Sequence, residues 1–137
     1  MAAVPLPRFR QLEHTADVRL AVWGASEAAL LANAAAGALR CALGRTPRGR
    51  PRRWMPVGRW PRALPDRLVR VVNEALFRLY SRCELTVGVR FTPRGALLGV
   101  APLPDGWTPV TEVKAATFHA LRPVTSRRLS ALLTLDL

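Results

Sequence analysis

Apolar and polar residues alternate near both ends of the chain, and this pattern predicts two half-buried β-strands. Residues 17–23, DVRLAVW, place Val18, Leu20 and Val22 on one face, and Gly24 ends the run. The closing stretch, RLSALLTLDL, alternates in the same way. A sheet with one buried face and one polar face is therefore expected.

The segment after the first strand has the signals of a largely buried helix. Residues 27–43, EAALLANAAAGALRCAL, follow Ser26, a favourable N-cap, and stop before Gly44, which suits the left-handed C′ position. Gly37 within this helix costs about 1 kcal/mol relative to alanine. Its presence predicts a close approach between helix and sheet.

A second helix is predicted over residues 67–83, RLVRVVNEALFRLYSRC, with Asp66 as its N-cap. Glu74 and Arg78 are four residues apart and can form an ion pair on its surface. One stripe of the helix is apolar and should face the core. The stripe consists of Leu68, Val72, Ala75, Leu76 and Leu79.

Four further strands complete the pattern. RWMPVGRW is predicted as an edge strand because Pro56 has no N–H to donate to a central ladder. ELTVGVRF and ALLGVAP, joined by TPRG, predict a hairpin, and EVKAATFHAL and RLSALLTLDL, joined by RPVTSR, predict another antiparallel pair. The order β-α-β-α-β-β-β-β predicts a single α+β domain over residues 1–137. We expect a two-layer sandwich with one sheet of about six strands and two helices packed on one face.

Composition is consistent with this fold. Half of the 137 residues are apolar, so a packed core is expected. No apolar run reaches the roughly 18 residues of a membrane span, and the opening MAAVPLPRFR does not have the pattern of a signal peptide. A cytoplasmic protein without a membrane partner is therefore expected. Cys41 and Cys83 have no metal-ligand spacing and are interpreted as small buried thiols.

The net charge of +12 favours a nucleic-acid partner, but it has a second explanation. Arginine supplies 20 of the 21 cationic residues, as a GC-rich codon supply would produce, and Lys114 is the single lysine. Residues 45–53, RTPRGRPRR, precede Trp54 and Trp60. This stretch is either an RNA- or partner-contacting arm with stacking tryptophans or a solvated loop followed by a poor edge strand.

Two aspartates are candidates for a shared site. Asp17 begins the first strand and Asp136 ends the last, and they would meet if these strands are neighbours. Two close carboxylates repel each other unless a cation, either a metal ion or Lys114, lies between them. Oxygen ligands suit Ca²⁺, Mg²⁺ or Mn²⁺, and a terminal carboxylate at Leu137 would add another anion. Ordinary surface acids remain the alternative.

No pattern for autonomous catalysis is present. There is no nucleophile elbow and no glycine-rich phosphate loop. His14 could cap or position the HTAD turn, and His119 on its strand is typical of a structural residue. A small metal-dependent hydrolase is therefore poorly supported.

Four segments, LEHTADVRLAVWG, NEALFRLY, TEVKAATFH and the terminal LDL, resemble the archease family over roughly residues 10–137. The resemblance implies a small accessory protein, not an enzyme, that assists the RtcB-type RNA ligase of tRNA splicing and RNA repair. That ligase joins a 3′-phosphate or 2′,3′-cyclic phosphate to a 5′-hydroxyl, using GTP and Mn²⁺. The accessory protein promotes guanylylation of a ligase histidine and restores turnover, so it meets tRNA or other RNA indirectly.

The same resemblance implies a site. Asp17, Asp136 and an oxygen of Leu137 would be the metal ligands, with Ca²⁺ the expected ion and Mg²⁺ or Mn²⁺ the alternatives. Lys114 would belong to the same cluster. Other functional or partner-facing residues would be His14, Glu112 and His119.

Three features depart from the family pattern: the basic charge, Arg70 where many relatives carry an acid, and the short loop PLPDGWTP. They leave a second interpretation open, a basic RNA-binding or RNA-chaperone module without a ligase partner. A phosphate-binding module would lose RNA affinity steeply with salt, whereas an activator would depend on its aspartates and a divalent ion.

Overall fold

The computed structural model describes residues 8–12, 17–122 and 128–137, and within these ranges it contains seven strands and two helices. The elements are β1 (Phe9–Leu12), β2 (Asp17–Gly24), α1 (Glu27–Leu43), β3 (Arg53–Pro56), α2 (Leu64–Arg82), β4 (Glu84–Thr92), β5 (Gly95–Pro102), β6 (Ala115–Arg122) and β7 (Leu129–Asp136). None of the helices in these ranges is both long and apolar enough to cross a bilayer.

The strands form two antiparallel sheets, with orders β1-β2-β7-β6 and β3-β5-β4. The α+β class is confirmed, but the prediction of one sheet of about six strands was wrong. Alternation reveals which face a strand buries, not which strand it pairs with. β1 was missed because its sequence, FRQL, is short and does not alternate clearly, and it depends on pairing with β2.

The core lies between the helices and the inward faces of the sheets. Leu20 of β2 lies opposite Leu133 of β7, and Val18 lies opposite Leu135; all four are buried. α1 contacts β1, β2 and β7, and α2 contacts β6, so the helices cover one face of the four-stranded sheet as expected. Both helices also contact β4, which joins the second sheet to the same core.

The ends of α1 follow the predicted capping chemistry. The Ser26 hydroxyl accepts a hydrogen bond from the Ala29 N–H at 3.1 Å, and Gly44 adopts a φ of +70°. Gly37 lies against the sheet: an added Cβ would come within 2.8 Å of a Leu20 methyl and 3.0 Å of the Phe9 Cβ. The close approach predicted from this glycine is confirmed.

α2 begins earlier than predicted. It starts at Leu64 after an Ala63 N-cap that makes no side-chain hydrogen bond, so Asp66 lies in the first turn and is not the cap. Pro65 permits this start because a missing N–H and a fixed φ suit the first turn. The predicted apolar stripe is buried, and Glu74 pairs with Arg78 at 3.2 Å.

The two cysteines differ in environment. Both are free thiols. Cys41 is buried as expected, and this burial raises the pKa of its thiol. Cys83 is exposed, contrary to prediction, because it forms the left-handed C-cap of α2, with φ of +52°.

β3 is an edge strand and β4–β5 form a hairpin, both as predicted. β6 begins at Ala115, three residues after the predicted Glu112, and has a bulge between Phe118 and Ala120. Most of the predicted RPVTSR turn, residues 123–127, falls outside the described residues.

The tryptophans of the basic stretch are occupied by the protein itself. Trp54 lies over Gly99, where an added Cβ would be 3.0 Å from the ring, and the Arg90 guanidinium lies 4.0 Å from the ring centroid. The Arg67 guanidinium lies 5.0 Å from the centroid of Trp60. Both rings are therefore structural, and the interpretation of them as stacking groups for RNA is not supported.

A buried carboxylate connects the second sheet to α2. Glu84 at the start of β4 is 7% exposed and accepts hydrogen bonds from Arg53 and Arg78. The Arg53 hydrogen bond, followed by its charge and by Arg78, lowers the pKa of Glu84 although burial opposes the shift. Arg78 also pairs with Glu74, so one network joins α2, β3 and β4.

Gly24 at the end of β2 is expected to tolerate no side chain. A Cβ there would lie 2.3 Å from the Leu30 nitrogen and 2.6 Å from its Cα, and backbone atoms of α1 cannot move aside as a side chain can. Gly24→Ala is expected to lower the free energy of unfolding by about 3 kcal/mol in urea titrations. Gly58→Ala is the control, because its Cβ would make an ordinary 3.6 Å contact with Arg70. Equal stability of the two variants would contradict the expectation.

Candidate functional site

The register of the four-stranded sheet brings the two predicted aspartates together. β2 and β7 pair antiparallel so that Asp17 lies directly opposite Asp136. Directly opposite residues share one face, with Cβ atoms about 4.5–5.5 Å apart. The next pair, Val18 and Leu135, points into the core, so the two carboxylates point away from the helices. The expectation that the strand beginning at Asp17 neighbours the last strand is confirmed.

The acid pair is reached by solvent. Asp17 is partly exposed and Asp136 is exposed. The next pair along this face is Arg19 and Thr134, which places one cation two residues from Asp17. Within the described part of the chain, no ion pair joins Arg19 to either acid. In the described residues, the two carboxylates therefore face each other without a paired side-chain cation.

Lys114 lies beside this pair through the backbone. Its N–H donates a 2.8 Å hydrogen bond to the Asp136 carbonyl, and the next residue, Ala115, is the β6 partner of Asp136. β7 thus holds Asp136 between β2 and the start of β6. The Lys114 side chain is exposed and, in the described ranges, pairs with no carboxylate. The backbone that carries this exposed ammonium therefore lies next to Asp136.

Side chains of α2 form hydrogen bonds with the backbone of the segment that carries Lys114. The Tyr80 hydroxyl donates to the Thr111 carbonyl at 3.2 Å and accepts from the Val113 N–H at 2.8 Å. Asn73, two turns earlier, accepts from the Ala116 N–H at 2.8 Å. Neither Asn73 nor Tyr80 was predicted from the sequence as a positioning residue. Their signal was available: two polar groups seven residues apart in NEALFRLY, a spacing that places them on one helix face.

Tyr80 remains a hydrogen-bond donor at neutral pH. Burial raises the pKa of its hydroxyl, the Glu112 carboxylate adds to this effect, and the hydrogen bond from Val113 opposes it. A protonated hydroxyl can donate to the Thr111 carbonyl while its lone pair accepts from Val113. One side chain therefore holds two points of the segment before β6.

Tyr80→Phe is expected to loosen this segment. The Val113 N–H, in a residue only 1% exposed, would lose its partner, at a cost of about 1–2 kcal/mol in the free energy of unfolding. Amide hydrogen exchange at Val113 should accelerate. Exchange in α1 should change only as much as the lower free energy of unfolding of the whole chain requires. Phe77→Leu, at a half-exposed position on the same helix, is the control. Unchanged Val113 exchange in Tyr80→Phe would refute the role of the hydroxyl.

The structure places the other predicted residues at various distances from the pair. Leu137 follows Asp136 directly and is exposed. Glu112 and His119 are also exposed, but His119 lies at the β6 bulge, four residues beyond Ala115 or about 13 Å along the strand. His119 is therefore not part of the acid pair. His14 lies outside the described residues, and its predicted role stays a prediction.

The donor set is limited to oxygen. The residues that the structure describes include no cluster of three or more His, Cys, Asp or Glu side chains able to hold a metal. Two carboxylates with backbone oxygens and water match the preferences of Ca²⁺, Mg²⁺ or Mn²⁺ rather than Zn²⁺. The pair therefore fits a hard divalent ion, and binding itself stays a prediction.

Comparison with known proteins agrees with the motif resemblance. The Archease protein family model matches residues 9–136, nearly the whole chain. The chain belongs to the archease family. The match includes Asp17, Lys114 and Asp136, so all three residues of the candidate site lie within the archease region. Comparison with curated proteins returns no similar sequence.

Solved structures show the same archease fold. A crystal structure from Thermotoga maritima, described as an archease and possible chaperone, is 17% identical with a TM-score of 0.60, covering 100% of both chains. The solution structure of Methanobacterium thermoautotrophicum protein 1598 is 20% identical with a TM-score of 0.59, covering 95% of this chain and 99% of that one. At such identities the likeness establishes the fold alone.

Proposed function

We propose that this archease is a non-enzymatic activator of an RtcB-type RNA ligase in tRNA splicing and RNA repair. It promotes guanylylation of the ligase, and it acts through a divalent ion held by Asp17 and Asp136. Family membership supports the partner, and the register that sets Asp17 opposite Asp136 is the observation on which the site depends. A chaperone-like accessory role is consistent with the description of the Thermotoga maritima relative.

In the proposal, the two aspartates and an oxygen of Leu137 hold the ion, with Ca²⁺ as the expected species. Such an ion, when bound, supplies positive charge for phosphate oxygens during nucleotidyl transfer, which is the contribution that this reaction class requires. The chain itself contributes position: β2 and β7 set the distance between the carboxylates, and β7 is held between two neighbours.

Lys114 serves the same complex as a contact for the ligase or its bound phosphate. Its side chain is exposed, while its backbone is fixed by Asp136 and by the flanking contacts of Tyr80 and Asn73. A flexible ammonium on a fixed backbone can reach one anionic group with little rearrangement. Glu112 lies on the same hydrogen-bonded segment before β6, and with Lys114 it is the second exposed charge there that is available to the partner.

The test is a guanylylation assay with the purified cognate ligase, GTP and Mn²⁺. Native archease is expected to accelerate formation of the guanylylated ligase. Asp17→Asn and Asp136→Asn are expected to reduce this stimulation at least tenfold, because each removes one of two charged ligands. Asp105→Asn removes the same charge from an exposed loop position and should stimulate normally. Full stimulation by either site variant would overturn the proposed site, and no stimulation by the native chain would overturn the proposed partner.

A further inference from the structure

Residues 45–53, which comprise the loop after α1 and the first residue of β3, carry five exposed arginines that the acid-pair site does not use. We call them the arginine strip: Arg45, Arg48, Arg50, Arg52 and Arg53. The sequence of this segment is consistent with either a binding arm or a solvated loop. Its placement in the fold now favours one of the two.

The strip is held against the second sheet. The Arg52 N–H donates to the Val100 carbonyl at 2.8 Å, which continues the β3–β5 ladder by one residue. Pro51 lies on Gly99, where an added Cβ would come within 2.7 Å of the proline ring. At the other end, the Arg45 guanidinium lies 5.2 Å from the centroid of the Trp107 ring. The strip is therefore anchored to β5 at Pro51 and Arg52, and the Arg45 side chain contacts Trp107 at its other end.

Three open hollows follow the strip. Arg45, Arg48 and Trp107 border a hollow of about 370 Å³. The next, about 590 Å³, is bordered by Arg50 and Arg52, and the third, about 330 Å³, adjoins it at Arg52. Pro51, Pro102 and Pro104 contribute flat apolar walls to the second hollow. We call these three hollows and their bordering residues the track, which has cationic edges and an apolar lining.

The charge of the track is strongly one-sided. Seven arginines border the three hollows: the five of the strip, Arg40 and Arg82. The only carboxylates among the bordering residues are Glu84 and Asp105, and Glu84 is already paired with Arg53 and Arg78. A surface of this kind attracts a polyanion, and planar guanidinium groups match phosphate oxygens in a bidentate way.

We propose that the track binds single-stranded RNA through its phosphate backbone. Three open hollows in succession suit an extended chain rather than one compact anion, and the proline walls of the second hollow offer apolar surface to unstacked bases. An acidic protein segment would use the charges but not these flat surfaces. The track extends from the end of α1 to the three-stranded sheet, whereas the acid pair lies on the four-stranded sheet, so this inference stands independently of the ligase activation.

The test measures binding of the full chain to a fluorescent oligouridylate of about twelve nucleotides across a salt series from about 50 to 200 mM. The variant Arg48→Gln/Arg50→Gln/Arg52→Gln alters three strip side chains that make no hydrogen bond or ion pair within the described residues. It is expected to bind at least tenfold more weakly. The slope of log affinity against log salt should fall by about two, since each lost contact to a single strand removes about 0.7.

The control variant Arg8→Gln/Arg62→Gln/Arg94→Gln removes the same charge from exposed positions outside the track. It should bind RNA nearly as well as the native chain. Equal losses in both variants would show that net charge alone drives binding and would overturn the proposal. Displacement of the RNA by polyglutamate at matched charge, or no native binding at the higher salt, would also overturn it. Unchanged thermal unfolding of both variants confirms that folding does not explain the result.

Discussion

Asp136→Asn is expected to abolish most of the Ca²⁺-dependent stabilisation of this archease. Asp136 lies opposite Asp17, and within the described residues no lysine or arginine pairs with either acid, so a bound ion would depend on both carboxylates. A ligand at about 100 times its dissociation constant adds about 2.7 kcal/mol to the free energy of unfolding. Thermal unfolding of the native chain should therefore shift upward with Ca²⁺, and that of the variant should shift far less.

In EDTA, the effect of Asp136→Asn on the free energy of unfolding should have the opposite sign. Like charges directly opposite each other on neighbouring strands destabilise a sheet, and pairs of this type are worth up to about 1 kcal/mol. Without an ion, Asp136→Asn should be as stable as the native chain or slightly more stable. Asp105→Asn, which removes an exposed loop carboxylate, should shift in parallel with the native chain in both conditions. A variant that is less stable in EDTA and retains the full Ca²⁺ shift would contradict the metal site.

Glu84→Gln is expected to produce the second large effect, on stability rather than function. The carboxylate is 7% exposed and accepts from two arginines, so the substitution leaves Arg78 in a largely buried position with one fewer anionic partner. Hydrogen bonds to charged groups contribute about 1.5–3 kcal/mol, and we expect a loss of about 2–3 kcal/mol. Arg53 limits the loss because its side chain is 61% exposed and can be hydrated.

The stability difference between the native chain and Glu84→Gln should depend on pH, in a direction set by the lowered pKa of Glu84. The pKa of Glu84 is lowered from its ordinary value of 4.5, so its contribution is fully present above that value and is lost as pH falls through the lower folded-state pKa. The stability difference between the native chain and Glu84→Gln should be constant near pH 7 and should shrink below about pH 4.5. Urea unfolding at several pH values measures it.

Glu74→Gln is the matched control, because Glu74 pairs with the same arginine at 3.2 Å from a more exposed position four residues away on α2. Such helical pairs contribute about 0.3–0.5 kcal/mol. A loss in Glu84→Gln no larger than that in Glu74→Gln would show that burial of Glu84 adds nothing.

The candidate site was predictable in part. Asp17 and Asp136 each stand out as an acid at the end of an alternating strand, and Lys114 stands out as the single lysine. Their proximity required a register that sequence periodicity leaves open, since a shift by one residue reverses the face of every side chain. The seven-residue spacing of Asn73 and Tyr80 indicates a shared helix face, but their partners are backbone groups more than 30 residues away, and no local pattern identifies those partners.

For the basic stretch, residues 45–53 and the tryptophans that follow, sequence alone also could not decide between two interpretations. Its composition was consistent with a binding arm and with a solvated loop, and the binding interpretation treated Trp54 and Trp60 together with the arginines. The structure separates them: the two rings are covered by Arg90 and Arg67, while the arginine strip remains exposed along three hollows. Only the position of each side chain distinguishes a structural tryptophan from a binding one.

Local sequence was sufficient for α1 with both its caps, for the buried stripe of α2, and for the strand character of β2, β4, β5 and β7. These features depend on interactions within a few residues, such as capping hydrogen bonds and the match between helical or strand period and one apolar face. Long-range packing was required to divide the strands between two sheets, to recruit β1, and to set Asp17 opposite Asp136. Strand pairing joins residues far apart in the chain, so its register follows from the burial of the whole core and not from any segment alone.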